Sequence, residues 1–164
     1  MSRRVLVPLL LILSLAVPAG VVAVDWPPST GLVVGEVVTG AAEGADEYIE
    51  LYNAGPSPES LAGLELVYAS ASGKSVTRKQ AFDSGQVPAG ERVLLANADG
   101  AFAGLADHTY SGGLSADGGS VVLRIQGGMV VDALSWGTAA SAFVEGTAAA
   151  APPAGSSIER LPGE

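Results

Sequence analysis

Few residues in this chain have side chains suited to catalysis. There is no cysteine, and the one histidine, His108, directly follows Asp107. An aspartate can orient a histidine in a Ser–His–Asp arrangement, but the Gly-x-Ser-x-Gly segment that would present a serine is missing. We therefore interpret His108 as a solvated loop histidine, and we predict no catalytic residue. A hydrolytic enzyme that uses Asp107 and His108 is the alternative.

Carboxylates offer a second kind of chemistry, metal binding. Asp99, Asp107 and Asp117 all fall in the long, glycine-rich segment from Ala98 to Gly119. Carboxylate and loop carbonyl oxygens are the ligands that Ca²⁺ prefers, although their spacing matches no EF-hand. A zinc site is not expected, because one histidine without thiolates cannot supply the usual ligands. We expect no cofactor and keep calcium at these three aspartates as a hypothesis.

A strand with one polar face is the best candidate for binding. Between Glu47 and Asn53, charged or polar residues alternate with apolar ones, which is the pattern of a half-buried strand. The apolar residues would face the core, whereas Tyr48, Glu50 and Tyr52 share the opposite face. Tyrosines combine an apolar ring with a polar hydroxyl and suit recognition surfaces. We predict that these three residues bind a protein or another cell-surface component, such as a sugar.

Other charged side chains are interpreted as solvated. Glu47 has the opposite strand parity from Glu50, so the two cannot form a catalytic pair, and we place Glu47 on a solvated strand face. Lys74, Arg78 and Lys79 form a short basic group. On a strand, Arg78 and Lys79 point to opposite faces, and no aromatic residues alternate with them. A solvated edge strand is therefore expected there, and a DNA site is not.

Two residues of a later strand are expected to be structural. Asp132 interrupts an otherwise apolar run and, if buried, needs donors from the backbone or from Arg124. Trp136 closes the same run and is expected to fill the core.

The elements that position these residues are strands. Runs of β-branched and other apolar residues recur at short intervals, separated by glycine and proline. They are Leu32–Thr39, Glu47–Asn53, Leu64–Ser70, Val76–Phe82, Glu91–Ala96, Ser120–Ile125, Met129–Trp136 and Ser156–Leu161. No segment shows helical periodicity with a cap, so an antiparallel sandwich or barrel is predicted and a βαβ fold is excluded. The Ala/Gly/Pro-rich segment from Gly137 to Gly155 is expected to be a long loop, and loops of this length are usually either functional or mobile.

The N-terminus has the pattern of an export signal. Two arginines precede about 20 uncharged residues from Val5 to Val24, and Ala23 fits a cleavage site. We predict a secretory signal peptide over residues 1–23 and a secreted, extracellular protein. The alternative is an uncleaved, N-terminally membrane-anchored protein, since the uncharged stretch is just long enough to span a bilayer.

The remainder is predicted to form one domain. An extended, proline-rich lead-in covers residues 24–31, and the folded domain covers 32–164. The net charge is −9 for the chain and about −11 once the two N-terminal arginines are removed. Such an acidic balance repels polyanions, so a nucleic-acid partner is not expected.

Six segments follow one another in a distinctive order. They are Gly35–Gly40, Asp46–Gly55, Leu61–Tyr68, Val87–Asn97, Gly119–Gly137 and Ser157–Arg160. Their order and spacing resemble the lamin-tail domain, in its bacterial exported type. The resemblance implies an all-β fold, an immunoglobulin-like antiparallel β-sandwich. The chain departs from the family at Leu64, where an aromatic residue, typically Trp, is usual.

The resemblance also implies a kind of function. In lamins such a domain is a docking platform for nuclear partners and DNA, and bacterial relatives are exported accessory modules. A non-catalytic, exported binding or scaffold module that recognises a protein or a surface component is therefore expected. A DNA- or nuclease-associated accessory domain and a calcium-binding adhesion module are the alternatives.

Overall fold

The computed structural model describes residues 31–40 and 44–160. The predicted signal peptide, almost all of the predicted lead-in and the end of the last predicted strand, Leu161, lie outside the described residues. Within them, no helix is both long and apolar enough to cross a membrane.

The described residues fold into short strands joined by turns. The strands are β1 Leu32–Val38, β2 Tyr48–Asn53, β3 Glu59–Ser60, β4 Leu64–Ser70, β5 Val76–Ala81, β6 Gln86–Val87, β7 Arg92–Asn97, β8 His108–Tyr110, β9 Gly118–Ile125, β10 Val130–Gly137 and β11 Ser157–Glu159. A 3₁₀ turn, Ala103–Leu105, is the one helical element in this part of the chain. Each of the eight predicted strands is present, whereas the short strands β3, β6 and β8 had no clear sequence signal.

The strands form two main sheets. The five-stranded sheet has the order β11-β1-β2-β7-β8, and the four-stranded sheet has the order β10-β9-β4-β5. Strands β3 and β6 form a separate two-stranded ribbon. The predicted all-β, immunoglobulin-like sandwich is confirmed. One pair departs from the antiparallel prediction, because β8 runs parallel to β7.

Side chains from both sheets meet in one apolar core. Among the fully buried residues are Val34, Ile49, Leu51 and Leu95 from the five-stranded sheet and Leu66, Val121, Leu123 and Trp136 from the four-stranded sheet. The Trp136 ring stacks near Tyr68, with 6.1 Å between ring centres, and its Nε1 donates to the carbonyl oxygen of Ser115 at 2.9 Å. The predicted core role of Trp136 is confirmed. Burial of each such side chain contributes about 1.5–3 kcal/mol.

A second, smaller apolar cluster lies on the outer face of the four-stranded sheet. Val67, Val122 and Ala133 are direct cross-strand neighbours there, and all are buried. They are buried because the segment after β10 folds back over the sheet and packs Phe143 against them. The Gly137 amide donates to the carbonyl oxygen of Ala149, and the Ala149 amide donates back to Ser135. The Ala/Gly/Pro-rich segment from Gly137 to Gly155 therefore covers this face of the sheet, and we call it the covering segment.

Candidate functional site

The outer face of the five-stranded sheet carries the three predicted binding residues. Buried and half-exposed residues alternate along β2, so Tyr48, Glu50 and Tyr52 lie together on the face that points away from the core. Ile49 and Leu51, between them, are fully buried. The predicted division of β2 into two faces is confirmed, while binding at this face stays a prediction.

Three carboxylates form a row across this face. The sheet register pairs Glu36 on β1 with Glu159 on β11 and with Glu50 on β2. Directly paired residues have Cβ atoms about 4.5–5.5 Å apart, and like charges at this distance are destabilising. We call these three residues the glutamate row. They concentrate negative charge on the half of the face between the edge strand β11 and the central strand β2.

Tyr48 is held firmly beside the row. Its hydroxyl donates to Oε1 of Glu36 at 2.9 Å, and its ring meets Phe102 edge-on with 5.1 Å between ring centres. Burial, followed by the bond to Glu36 and the charges of the row, raises the pKa of Tyr48 to about 12. The bond to Glu36 and the contact with Phe102 hold the Tyr48 ring in place on this face.

Arg92 on β7 neutralises part of the charge at the other end of β2. Its Nε lies 2.5 Å from Oε1 of Glu50, and its guanidinium lies 4.7 Å from the centre of the Tyr52 ring. The arginine side chain is 53% exposed, so the ion pair is worth at most about 1 kcal/mol. Burial raises the pKa of Glu50; Arg92 opposes this, and Glu36 and Glu159 add to the rise. The face keeps a net negative charge.

Glu47, predicted to be solvated, is buried at the edge of the core. Only 2% of this residue is exposed. Its carboxylate accepts from the Leu114 amide at 2.9 and 3.0 Å and from Nδ2 of Asn97 at 3.3 Å. The prediction was wrong because Glu47, one residue before β2, shares the strand parity of the buried Ile49 and Leu51 and so faces inward.

Lys79, also predicted to be solvated, reaches the same loop from the four-stranded sheet. It is the extra residue of a β-bulge in β5, and such bulges redirect side chains. Its Nζ donates to three consecutive carbonyl oxygens at 2.6–3.2 Å, those of Ser111, Gly112 and Gly113. Nζ also lies 4.8 Å from the centre of the Tyr110 ring.

The two buried charges hold one peptide group between them. The peptide that joins Gly113 to Leu114 offers its carbonyl to Lys79 and its amide to Glu47. Burial lowers the pKa of Lys79, and the charge of Glu47 opposes this. Both charged groups are engaged by backbone groups of the loop and fix it in place, which is a structural role.

The aspartates considered as calcium ligands do not converge. Oδ2 of Asp107 accepts from the Leu94 amide at 2.9 Å, and the Asp99 amide donates to Oδ1 of Asn97. In the described part of the chain, no three His, Cys, Asp or Glu residues lie close enough together to hold a metal ion. The expected set of Asp99, Asp107 and Asp117 is therefore not assembled there.

His108 lies in strand β8 and is half-buried, so the prediction of a solvated loop histidine was wrong. Its ring packs edge-on against Phe82, with 5.3 Å between ring centres. The carboxylate of Asp107 is bonded to the Leu94 amide and does not orient the imidazole. The Asp–His arrangement that a hydrolase would need is not formed.

Asp132 ties the two sheets together at one edge of the sandwich. Its Oδ2 accepts from the Val34 amide at 2.7 Å, and both oxygens accept from Nη2 of Arg160 at 3.2 Å. Asp132 is buried, and the predicted backbone donor is present as the Val34 amide. The other predicted donor, Arg124, pairs instead with the buried carboxylate of Glu65 at 2.7 Å. Burial raises the pKa of Asp132 to about 6, although Arg160 and the Val34 amide oppose the rise.

A cleft of about 320 Å³ opens between the edge strands β10 and β11. Its lining residues are Ala133, Leu134 and Ser135 of β10, Glu145, Thr147 and Ala149 of the covering segment, and Ile158, Glu159 and Arg160 at β11. Glu159 belongs both to this cleft and to the glutamate row. The cleft therefore borders the candidate binding face.

Comparison with known proteins supports the architecture. The family model described as Lamin Tail Domain matches residues 27–138, which include β1 to β10. The match covers more than half of the chain. No curated protein matches this chain.

Proposed function

The chain belongs to the lamin tail domain family, and we propose that it is an exported recognition module without catalytic activity. The family has an immunoglobulin-like fold and is generally non-catalytic. The module binds a protein or another cell-surface component through the outer face of its five-stranded sheet. Tyr48, Glu50 and Tyr52 form the centre of that face.

The glutamate row supports this proposal most directly. Three like charges on neighbouring strands cost stability in the isolated domain, and Arg92 offsets only part of this cost. A partner surface that carries lysine or arginine would turn these contacts into favourable pairs and would be steered towards the face. Tyr48 and Tyr52 add rigid contact area with little loss of side-chain entropy.

Export is part of the same proposal. The uncharged segment Val5–Val24 and the small residue Ala23 support secretion with removal of the signal. N-terminal sequencing of the protein recovered from the medium should begin at Val24. Recovery of the protein only in membranes, with residues before Val24 still attached, would favour the anchored alternative.

Site-specific photo-crosslinking tests the binding face. A photoreactive phenylalanine analogue replaces Tyr52 in one variant and the exposed Thr77 of the four-stranded sheet in another. Crosslinks on intact producing cells should be enriched at position 52 and should weaken when Glu50→Lys is added, because that change reverses a charge of the row. Equal crosslinking at the two positions, or no effect of Glu50→Lys, would refute the proposed face.

A further inference from the structure

Two edge strands border the cleft, and each leaves an edge open. β11 is the outer strand of the five-stranded sheet, and β10 is the outer strand of the four-stranded sheet. In the described residues, no strand pairs with the outer edge of β11, and β10 meets only Ala149, through a bridge at Trp136. Edge strands present unpaired backbone N–H and C=O groups and readily pair with another chain.

The hydrogen bonds of β11 show which of its backbone groups are available. The Arg160 amide donates to the carbonyl oxygen of Gly35 on β1. Because backbone groups of successive residues point to opposite edges of a strand, Ile158 also faces β1. Ser157 and Glu159 then point their backbone groups away from β1. An added strand would bond to these two residues.

Among the described residues, the cleft lining carries more negative than positive charge. Glu145 and Glu159 line it, and the charge of Glu145 acts on the pKa of Asp132 across it. Arg160 is the one basic residue of the lining in the described chain, and its Nη2 donates to Asp132 and to the carbonyl oxygen of Ala133. The cleft therefore favours a cationic occupant.

We propose that the cleft binds an extended peptide segment that carries lysine or arginine. The segment adds as a strand to the outer edge of β11 and places one cationic side chain between Glu145 and Glu159. A cleft of about 320 Å³ is at the small end of ligand sites and fits a side chain of a strand rather than a folded domain. Main-chain bonds give affinity in this mode, and the pocket selects the side chain. This edge site shares Glu159 with the glutamate row, but it does not depend on binding at the face proposed above.

Titration with short peptides, followed by amide NMR, tests the proposal on the secreted protein. The probe is the blocked hexapeptide Thr-Lys-Val-Lys-Val-Thr, and its counterpart has glutamate in place of lysine. The lysine peptide should shift the amide signals of Ser157, Glu159 and Thr147, while the glutamate peptide should not. Glu145→Gln and Glu159→Gln should each weaken binding roughly twofold to fivefold. The matched control is Glu91→Gln, which removes an exposed carboxylate just before β7 and should change binding by less than about twofold.

Three results would overturn the edge site. One is equal weakening by Glu91→Gln, which would mean attraction to net charge alone. Another is unchanged affinity of a lysine peptide whose alternate amides are N-methylated, since strand addition needs those donors. The third is a shift confined to β2, or no shift at β11 up to about 1 mM peptide. Shifts confined to β2 would instead support the face around Tyr48, so the two proposals can fail independently.

Discussion

Replacing Asp132 with asparagine should remove a pH dependence from the stability of the sandwich. The asparagine carbonyl can still accept from the Val34 amide, as Oδ2 of Asp132 does at 2.7 Å. It can also still face Nη2 of Arg160. The substitution therefore removes the titratable group and its charge while largely keeping the shape of this contact.

The size of the effect follows from the pKa of Asp132. Burial raises it from 3.8 to about 6, which corresponds to about 3 kcal/mol between the two protonation states. Because the folded protein holds the proton more tightly than the unfolded chain, this stabilisation is complete below pH 3.8 and is lost as the pH rises through about 6. The wild-type protein should lose about 3 kcal/mol relative to Asp132→Asn across this range.

Urea unfolding at a series of pH values measures this difference. Each protein has other titrating carboxylates, but they contribute equally to both and cancel when the two free energies of unfolding are subtracted. The subtracted curve should fall between about pH 4 and pH 7 and be flat on either side.

A curve of the opposite sign would refute the reasoning. If the wild-type protein gains stability relative to Asp132→Asn as the pH rises, then Arg160 and the Val34 amide outweigh burial and the folded pKa lies below its ordinary value. A flat difference would mean that Asp132 titrates alike in the folded and unfolded protein.

Three further substitutions test other buried contacts. Glu65→Gln should lower the free energy of unfolding at pH 7 by about 2 kcal/mol, because two arginines lose their counter-charge. Burial raises the pKa of Glu65, but the Gly127 amide and both arginines outweigh burial and hold the pKa below 4.5. The stability lost in Glu65→Gln should therefore become smaller in acid, where the wild-type carboxylate is protonated as well. Lys79→Met should cost about 3 kcal/mol and speed proteolysis of the loop around Gly113, since Glu47 is left buried without a nearby cation. Phe143→Ala should cost about 1–3 kcal/mol and increase binding of a hydrophobic dye, because the cluster on the outer face loses its cover.

Matched controls separate these effects from a general loss of stability. Glu91→Gln, Lys74→Met and Leu105→Ala make the same kinds of change at exposed positions and should each cost less than about 0.5 kcal/mol. A buried substitution that costs no more than its control would contradict the contact assigned to it. For Phe143, unchanged dye binding would show that the covering segment does not depend on this ring.

The faces of β2 could be predicted from the sequence because a strand has a period of two. Once Ile49 and Leu51 are assigned to the core, Tyr48, Glu50 and Tyr52 must share the other face. The same rule placed Arg78 and Lys79 on opposite faces, but it could not show that Lys79 is buried, because a bulge in β5 redirects its side chain into the loop. Nothing local in the sequence around Lys79 marks that bulge.

Contacts between residues far apart in the chain could not be predicted. Arg124 lies on the strand next to Asp132 and was the natural donor, yet the cross-strand partner of Arg124 is Glu65 on β4. The arginine that does bond to Asp132, Arg160, reaches it only because β11 returns to pair with β1. The glutamate row depends on the same return, since Glu159 joins Glu36 and Glu50 through that pairing.

The covering segment also sets the boundary of the autonomous folding unit. The family match ends at residue 138, yet Phe143 and β11 lie beyond it. A protein shortened to residue 138 would leave Val67 and Val122 open to water and would remove β11, one of the two strands that pair with β1. An apolar patch next to an unpaired strand edge invites self-association. The family-matched residues would therefore aggregate on their own, and the smallest soluble unit extends at least to Arg160.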